Sequence, residues 1–223
     1  MSVVFADGGE QDAAAHHASL QKVLEPFMDN PDYGITRIVL STDGCAKQYY
    51  GKENFFRMKE NTKGDFFSTG LVSFVHNIAV AGHFKGPWDG FGGGIGIVLR
   101  RIQKILQAKG DAPTRLLDAK HCWQLYTDYI SEMGQSRIDQ HKNDAIHALY
   151  LDKSTVKRIN KAKEDTTTIA GTKMHRAFMA LANGCFYVRA RRCGCMECSA
   201  ATFGSCVNIH EVSSPLYDNE VGC

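Results

Sequence analysis

The chain has 223 residues of which 43% are apolar, enough for one sizeable core plus a small appended module, and this excludes fibrous and disordered classes. Its net charge of +2 is bland overall, yet residues 151–192 hold ten Lys/Arg against three Asp/Glu. That local excess suits a polyanionic partner or, equally, a solvated basic face. The first twenty residues carry Asp7, Glu10, Asp12 and the His16-His17 pair where a leader would be apolar. The apolar runs are interrupted by His76, Asn77 and Gly82, too soon to span a bilayer. A soluble intracellular protein with no membrane partner is expected.

In chain order, Ser2–Ala6 reads as a short buried strand, and Asp12 can cap a helix through about Met28 with Ala15, Leu20, Val23, Leu24 and Phe27 as its apolar stripe. Ile35–Leu40 reads as a strand that leaves through Ser41-Thr42-Asp43-Gly44 with turn chemistry. Tyr49–Met58 reads as a helix. Leu71–Ala81 has the β-branched and aromatic content of a central strand, ended by Gly82 and a glycine-rich bend. A basic amphipathic helix over Ile95–Leu106 follows, then a second helix over about Asp118–Met133. Ala145–Leu151 is a candidate strand, and Ser154 a candidate cap for a basic helix through Lys163. From Thr166 the pattern loosens into short strands and turns. Alternating strands and helices indicate an α/β layer with helices on a mixed sheet, and the composition shift near residue 165 divides the chain into a 1–165 core and a 166–223 module.

Asp43 and Asp89 each come just past an apolar run. Two carboxylates at the C-terminal ends of neighbouring strands can share a divalent metal, because hard cations want oxygen ligands on a rigid support. Taken singly, Asp43 is equally an ordinary Asp-Gly turn residue and Asp89 an ordinary helix cap. No nucleotide-binding glycine loop is present in strand-to-helix context.

The strings STDGCAKQYYGKENFF and GHFKGPWDGFGGG, in that order and about forty residues apart, resemble transposase-derived proteins of eukaryotic mobile elements. The pattern is a strand followed by S-D-G-x-x-x-Q-[FY], then a later strand followed by [GS]-H-x-K-G-x-x-D-G-x-G-G and a basic helix. SVVFADGGEQDAAAHHASL, Ala170-Gly171-Thr172-Lys173-Met174-His175 and the cysteine cluster are similar to other parts of that family, so the resemblance covers most of the chain, least between residues 110 and 165.

The resemblance implies an RNase H-like mixed sheet flanked by helices, of the DDE recombinase type, which cuts and joins DNA with two divalent metals. Asp43 would be the second acid and Asp89 the third, 45 residues intervening, holding Mg²⁺ or Mn²⁺. His83 and Lys85 would orient a carboxylate or meet a phosphate. The family's first acid lies on a strand upstream of the one matched by Val3–Ala6, so its first strands are lacking here. The expectation is therefore a truncated core whose missing acid comes from an upstream fragment or a homo-oligomeric partner, or an inactive copy.

The cysteine cluster reads C-x-C-x₂-C-x₇-C, and a reducing compartment favours metal over disulfides for cysteines this crowded. Cys193, Cys195, Cys198 and Cys206 form the preferred Zn²⁺ ligand set, with His175, Cys185 and His210 as substitutes, in a structural site. Arg189, Arg191 and Arg192 beside Phe186 and Tyr187, together with Arg100, Arg101 and Lys104 on the basic helix, suit a DNA backbone. A DNA substrate implies a nuclear protein. The competing reading is a non-catalytic, zinc-containing nucleic-acid-binding protein.

Overall fold

The computed structural model describes residues 2–8, 10–28, 30–64, 71–79, 87–108, 110, 118–137, 147–159, 172 and 176–189, with backbone alone at 46, 47, 87–92, 132–137 and 189. The chain is mixed α/β and divides into two compact units, Met1–Glu10 with Lys85–Lys157, and Gln11–Phe84 with Arg158–Cys223.

In the Gln11–Phe84 unit, α1 (Ala13–Met28) starts at Asp12, whose Oδ1 accepts from Ala15 N at 2.9 Å as the composition of the stretch predicts. Strand β2 (Arg37–Thr42) precedes a single turn of helix, α2 (Ala46–Tyr49), and α3 (Lys52–Lys63), so the helix expected over Tyr49–Met58 is two pieces divided at Gly51. Gly64 closes α3 with φ +85°, a left-handed conformation that costs glycine little. Strand β3 (Ser73–Ile78) is buried at every residue. It runs parallel to β2, with Thr42 opposite Ile78, and antiparallel to β5 (Ala177–Leu181), which pairs antiparallel with β6 (Phe186–Arg189).

This four-stranded mixed sheet, β2-β3-β5-β6, turns one face towards α1 and α3. Ile38 on β2, Phe74 and Ile78 on β3, Phe178 and Ala180 on β5, and Phe186 and Val188 on β6 share the core with Met28, Phe55 and Met58. The Phe55 ring lies 4.8 Å from Phe178 and 5.6 Å from Phe186, inside the favourable range for aromatic pairs. A parallel pair needs a crossover, and α3 supplies it by packing on β3 and β5.

In the Met1–Glu10 and Lys85–Lys157 unit, β1 (Ser2–Ala6) pairs in parallel with β4 (His147–Leu151), so β1 belongs to a separate two-stranded sheet. Helix α5 (Ala119–Arg137) packs on both strands and on α4 (Pro87–Ala108). Trp123 of α5 anchors this packing by donating Nε1–H to Ala148 O at 3.1 Å, while Phe5 meets Tyr126 at 5.5 Å. Asp118 caps α5 through Oδ1 to His121 N at 2.7 Å.

Two expected elements differ. The glycine-rich stretch after β3 is not a bend from Pro87 onward, because α4 begins at Pro87 and takes in Gly90 to Gly94. Proline at a first helical position is pre-set for helix and lacks only an N–H that would have no partner there. The helix expected from Ser154 is a 3₁₀ turn, Lys153–Thr155, followed by irregular chain through residue 159. Asp152, not Ser154, is its cap, its Oδ1 accepting from Ser154 N at 2.7 Å. No helix among the described residues is long and apolar enough to cross a membrane.

Candidate metal centre

Asp43 follows β2 directly, and the parallel pairing brings the C-terminal ends of β2 and β3 to one edge of the sheet. Its side chain is exposed, and it makes no hydrogen bond or ion pair among the described residues. Two other acids near the beginning of the chain, Asp7 and Asp12, are engaged. Asp7 accepts a hydrogen bond from the Tyr150 hydroxyl, and Asp12 caps α1 and pairs with Arg158 Nε at 3.3 Å. A carboxylate left without a protein partner at the mouth of a sheet is the one free to take an ion.

Behind Asp43 lies a buried polar chain. Asn61 Nδ2 donates to His17 Nδ1 at 3.4 Å, and His17 Nε2–H donates to Asn54 Oδ1 at 2.8 Å. Asn54 Nδ2 then donates to His76 Nδ1 at 3.4 Å and to Tyr49 O at 2.8 Å, and His76 Nε2–H donates to Thr42 Oγ1 at 2.9 Å. Thr42 Oγ1–H reaches the Asp43 carbonyl at 3.2 Å. The amide of Asn54, with one accepting and one donating end, fixes both imidazoles as neutral tautomers protonated at Nε2, and donation runs in one direction from α3 to the end of β2.

Burial, reinforced by neighbouring His16 and opposed in part by the bond to Asn54, pushes His17 down to about 3, and burial holds His76 well below the ordinary histidine range. His16 is lowered to about 4 by burial, with the Asp43 carboxylate pulling in the opposite direction. Burial and then the Asp43 charge raise the Tyr49 hydroxyl to about 12, against an opposing pull from Thr42, so it stays protonated. The His16 ring is boxed by aromatic neighbours, edge-on to Tyr49 at 4.9 Å and stacked over His76 at 6.1 Å.

No family model matches the chain, and no curated protein and no solved structure matches it.

The sequence singled out Asp43 but not what stands behind it. His16 and His17 counted only as non-apolar residues near the start, and His76 only as a break in an apolar run. A signal was present: His17 falls at helical spacing with Ala13, Leu20, Leu24 and Met28, on the face that α1 turns inward. Asn54 and Asn61, seven apart on α3, carried the same kind of signal.

The remaining expected site residues divide by place. Asp89 is the third residue of α4, in its first turn and in the other unit, described by its backbone. Arg100, Arg101 and Lys104 are exposed on α4, with Ile97 and Ile105 also exposed beside them. Arg189 is the last residue of β6. His83, Lys85, Arg191, Arg192, Cys193, Cys195, Cys198 and Cys206, and the substitutes His175 and His210, lie outside the described residues. Cys185 is buried and held in a disulfide. Among the described residues no group of three or more His, Cys, Asp or Glu converges into a metal cluster. Among the described residues near the β2 end, the Asp43 carboxylate and Nε2 of His16 have no hydrogen-bond partner.

Proposed function

We propose that the chain is the DNA-cleaving and strand-transfer core of a transposase-derived, RNase H-like protein of the DDE type. The observation that carries this reading is the parallel β2–β3 pair: Asp43, without a side-chain partner among the described residues, stands just past one strand, and His83-Phe84-Lys85-Gly86-Pro87-Trp88-Asp89 follows the other in the chain. Asp43 and Asp89 are the proposed carboxylate ligands of Mg²⁺ or Mn²⁺. Bound there, two such ions supply activation of a water or 3′-hydroxyl and stabilisation of the leaving oxygen in phosphodiester cleavage.

The chain's own residues supply positioning. Asp43 is rooted by a rigid strand whose last residue, Thr42, is tied into the polar chain through His76. His83 and Lys85 orient the scissile phosphate, and Arg100, Arg101 and Lys104 meet the DNA backbone along one exposed face of α4. Cys193, Cys195, Cys198 and Cys206 hold a structural Zn²⁺ beside Arg191 and Arg192, and the DNA substrate places the protein in the nucleus.

The test is nicking of supercoiled DNA in Mg²⁺ or Mn²⁺. The reading expects slow, chelator-sensitive nicking that Asp43→Asn and Asp89→Asn each abolish. No metal-dependent nicking, or nicking that Asp43→Asn leaves unchanged, contradicts it.

A further inference from the structure

The three histidines behind β2 are not equivalent. His17 spends both ring nitrogens, on Asn54 and Asn61, and His76 spends both, on Thr42 and Asn54. His16 does not: its Nε2 is buried and has no hydrogen-bond partner among the described residues. Buried polar atoms in folded proteins are nearly always satisfied, so an unpaired nitrogen asks for the group that completes it. The asymmetry has a plain origin in the helix. His17 faces the core and the asparagines of α3, whereas His16, one position earlier and rotated by about 100° around α1, is turned towards Tyr49 and the end of β2.

Its surroundings hold the ring in place. Tyr49 lies edge-on, His76 is stacked over it, and His17 sits edge-on at 5.6 Å. The acid whose charge acts on His16 is Asp43, the carboxylate with no partner of its own among the described residues. An imidazole nitrogen without a partner among the described residues and a carboxylate whose charge reaches that ring make a mixed donor pair. Mg²⁺ prefers oxygen ligands and retained water, while Mn²⁺, also an oxygen-seeking ion, accepts an imidazole nitrogen more readily than Mg²⁺ does.

We propose that His16 Nε2 is the nitrogen ligand of the ion held by Asp43, giving an imidazole–carboxylate pair that takes Mn²⁺ in preference to Mg²⁺. The proposal rests on the reading of Asp43 as a metal-binding acid and adds to it a ligand from α1, an element that reading leaves unused.

The experiment is electron paramagnetic resonance on the full chain with Mn²⁺ as the probe. Titration of free Mn²⁺ gives affinity for the wild type, Asp43→Asn and His16→Gln, and pulsed detection asks whether a ¹⁴N nucleus is bonded to the ion. The wild type is expected to bind Mn²⁺ with one coordinated nitrogen. His16→Gln is expected to lose that coupling and to bind Mn²⁺ at least about tenfold more weakly, a loss that even indirect partners of a metal can cause. Its competition by Mg²⁺ should become correspondingly easier. Mn²⁺ bound by the wild type without nitrogen coupling, or a coupling that survives His16→Gln, overturns the role of His16 while leaving Asp43 in place. Absence of Mn²⁺ binding, or binding that Asp43→Asn leaves intact, removes the reading beneath it. The wild-type coupling needs no variant, so poor folding of His16→Gln does not shelter the proposal.

Discussion

Thr42 Oγ1 and His76 Nε2 lie 2.9 Å apart, joining the last residue of β2 to the middle of its parallel neighbour β3. His76 is fully buried and has no water to fall back on. Replacing Thr42 by Val keeps the shape and removes the acceptor, leaving a buried N–H unpaired. The expected cost is about 1–3 kcal/mol. Urea denaturation checks it: the midpoint should fall with the slope unchanged. A midpoint equal to the wild type would show that the bond does not anchor the end of β2.

The same network sets an acid limit. His17 and His76 are neutral in the native state, each accepting at Nδ1 from an asparagine N–H. In the unfolded chain they titrate at the ordinary histidine value of about 6.5. Above that pH both states are neutral and the groups contribute nothing to the pH dependence. As the pH falls below it, the unfolded chain binds protons that the native state refuses, so stability declines. For His17 the decline continues to about 3, where the native group also titrates. Thermal melts between pH 7 and 4 should therefore lose stability progressively, on the order of several kcal/mol in total, and His17→Gln should flatten the lower part of that curve.

Helix α4 presents Arg100, Arg101 and Lys104 to solvent. If they lie along a DNA backbone, replacing all three by Ala should weaken binding across sequences and lower the slope of log affinity against log salt by about one unit for each phosphate no longer neutralised. Fluorescence anisotropy over a salt series measures both. Binding should persist in an Asp43→Ala/Asp89→Ala double variant, since affinity for the backbone does not need the acids. An unchanged slope in the triple variant would move the interface elsewhere.

A structural zinc at Cys193, Cys195, Cys198 and Cys206, as proposed, would make the stability of its module part of the metal's binding energy. Melting with and without a strong chelator is the measurement. The chelated protein should melt lower, and Cys195→Ser should reproduce the shift without chelator. Identical melts would leave the cysteines without a metal.

Local chemistry was readable where one stretch decides the outcome. The central strand read within Leu71–Ala81 and the Asp12 cap both appear in the structure, whereas Ser41 and Thr42, read as turn residues, are the last two residues of β2. Decisions taken by distant residues were not. His17 meets Asn54 across 37 positions, His76 meets Thr42 across 34, and no spacing rule joins a polar residue on one helix face to another on a strand. Asp152 is the cap because its carboxylate accepts from the N–H of Ser154 two residues on and starts the turn there. The pairing of β1 with β4 joins Ser2 to His147, a separation that a local reading cannot bridge.

Whether Asp43 and Asp89 grip one ion can be seen in crystals grown with Mn²⁺, where anomalous scattering locates the metal. The expected peak lies about 2.0–2.4 Å from a carboxylate oxygen of each residue, near the ordinary range for a hard divalent cation. A peak bound by one of the two alone would contradict a shared metal site.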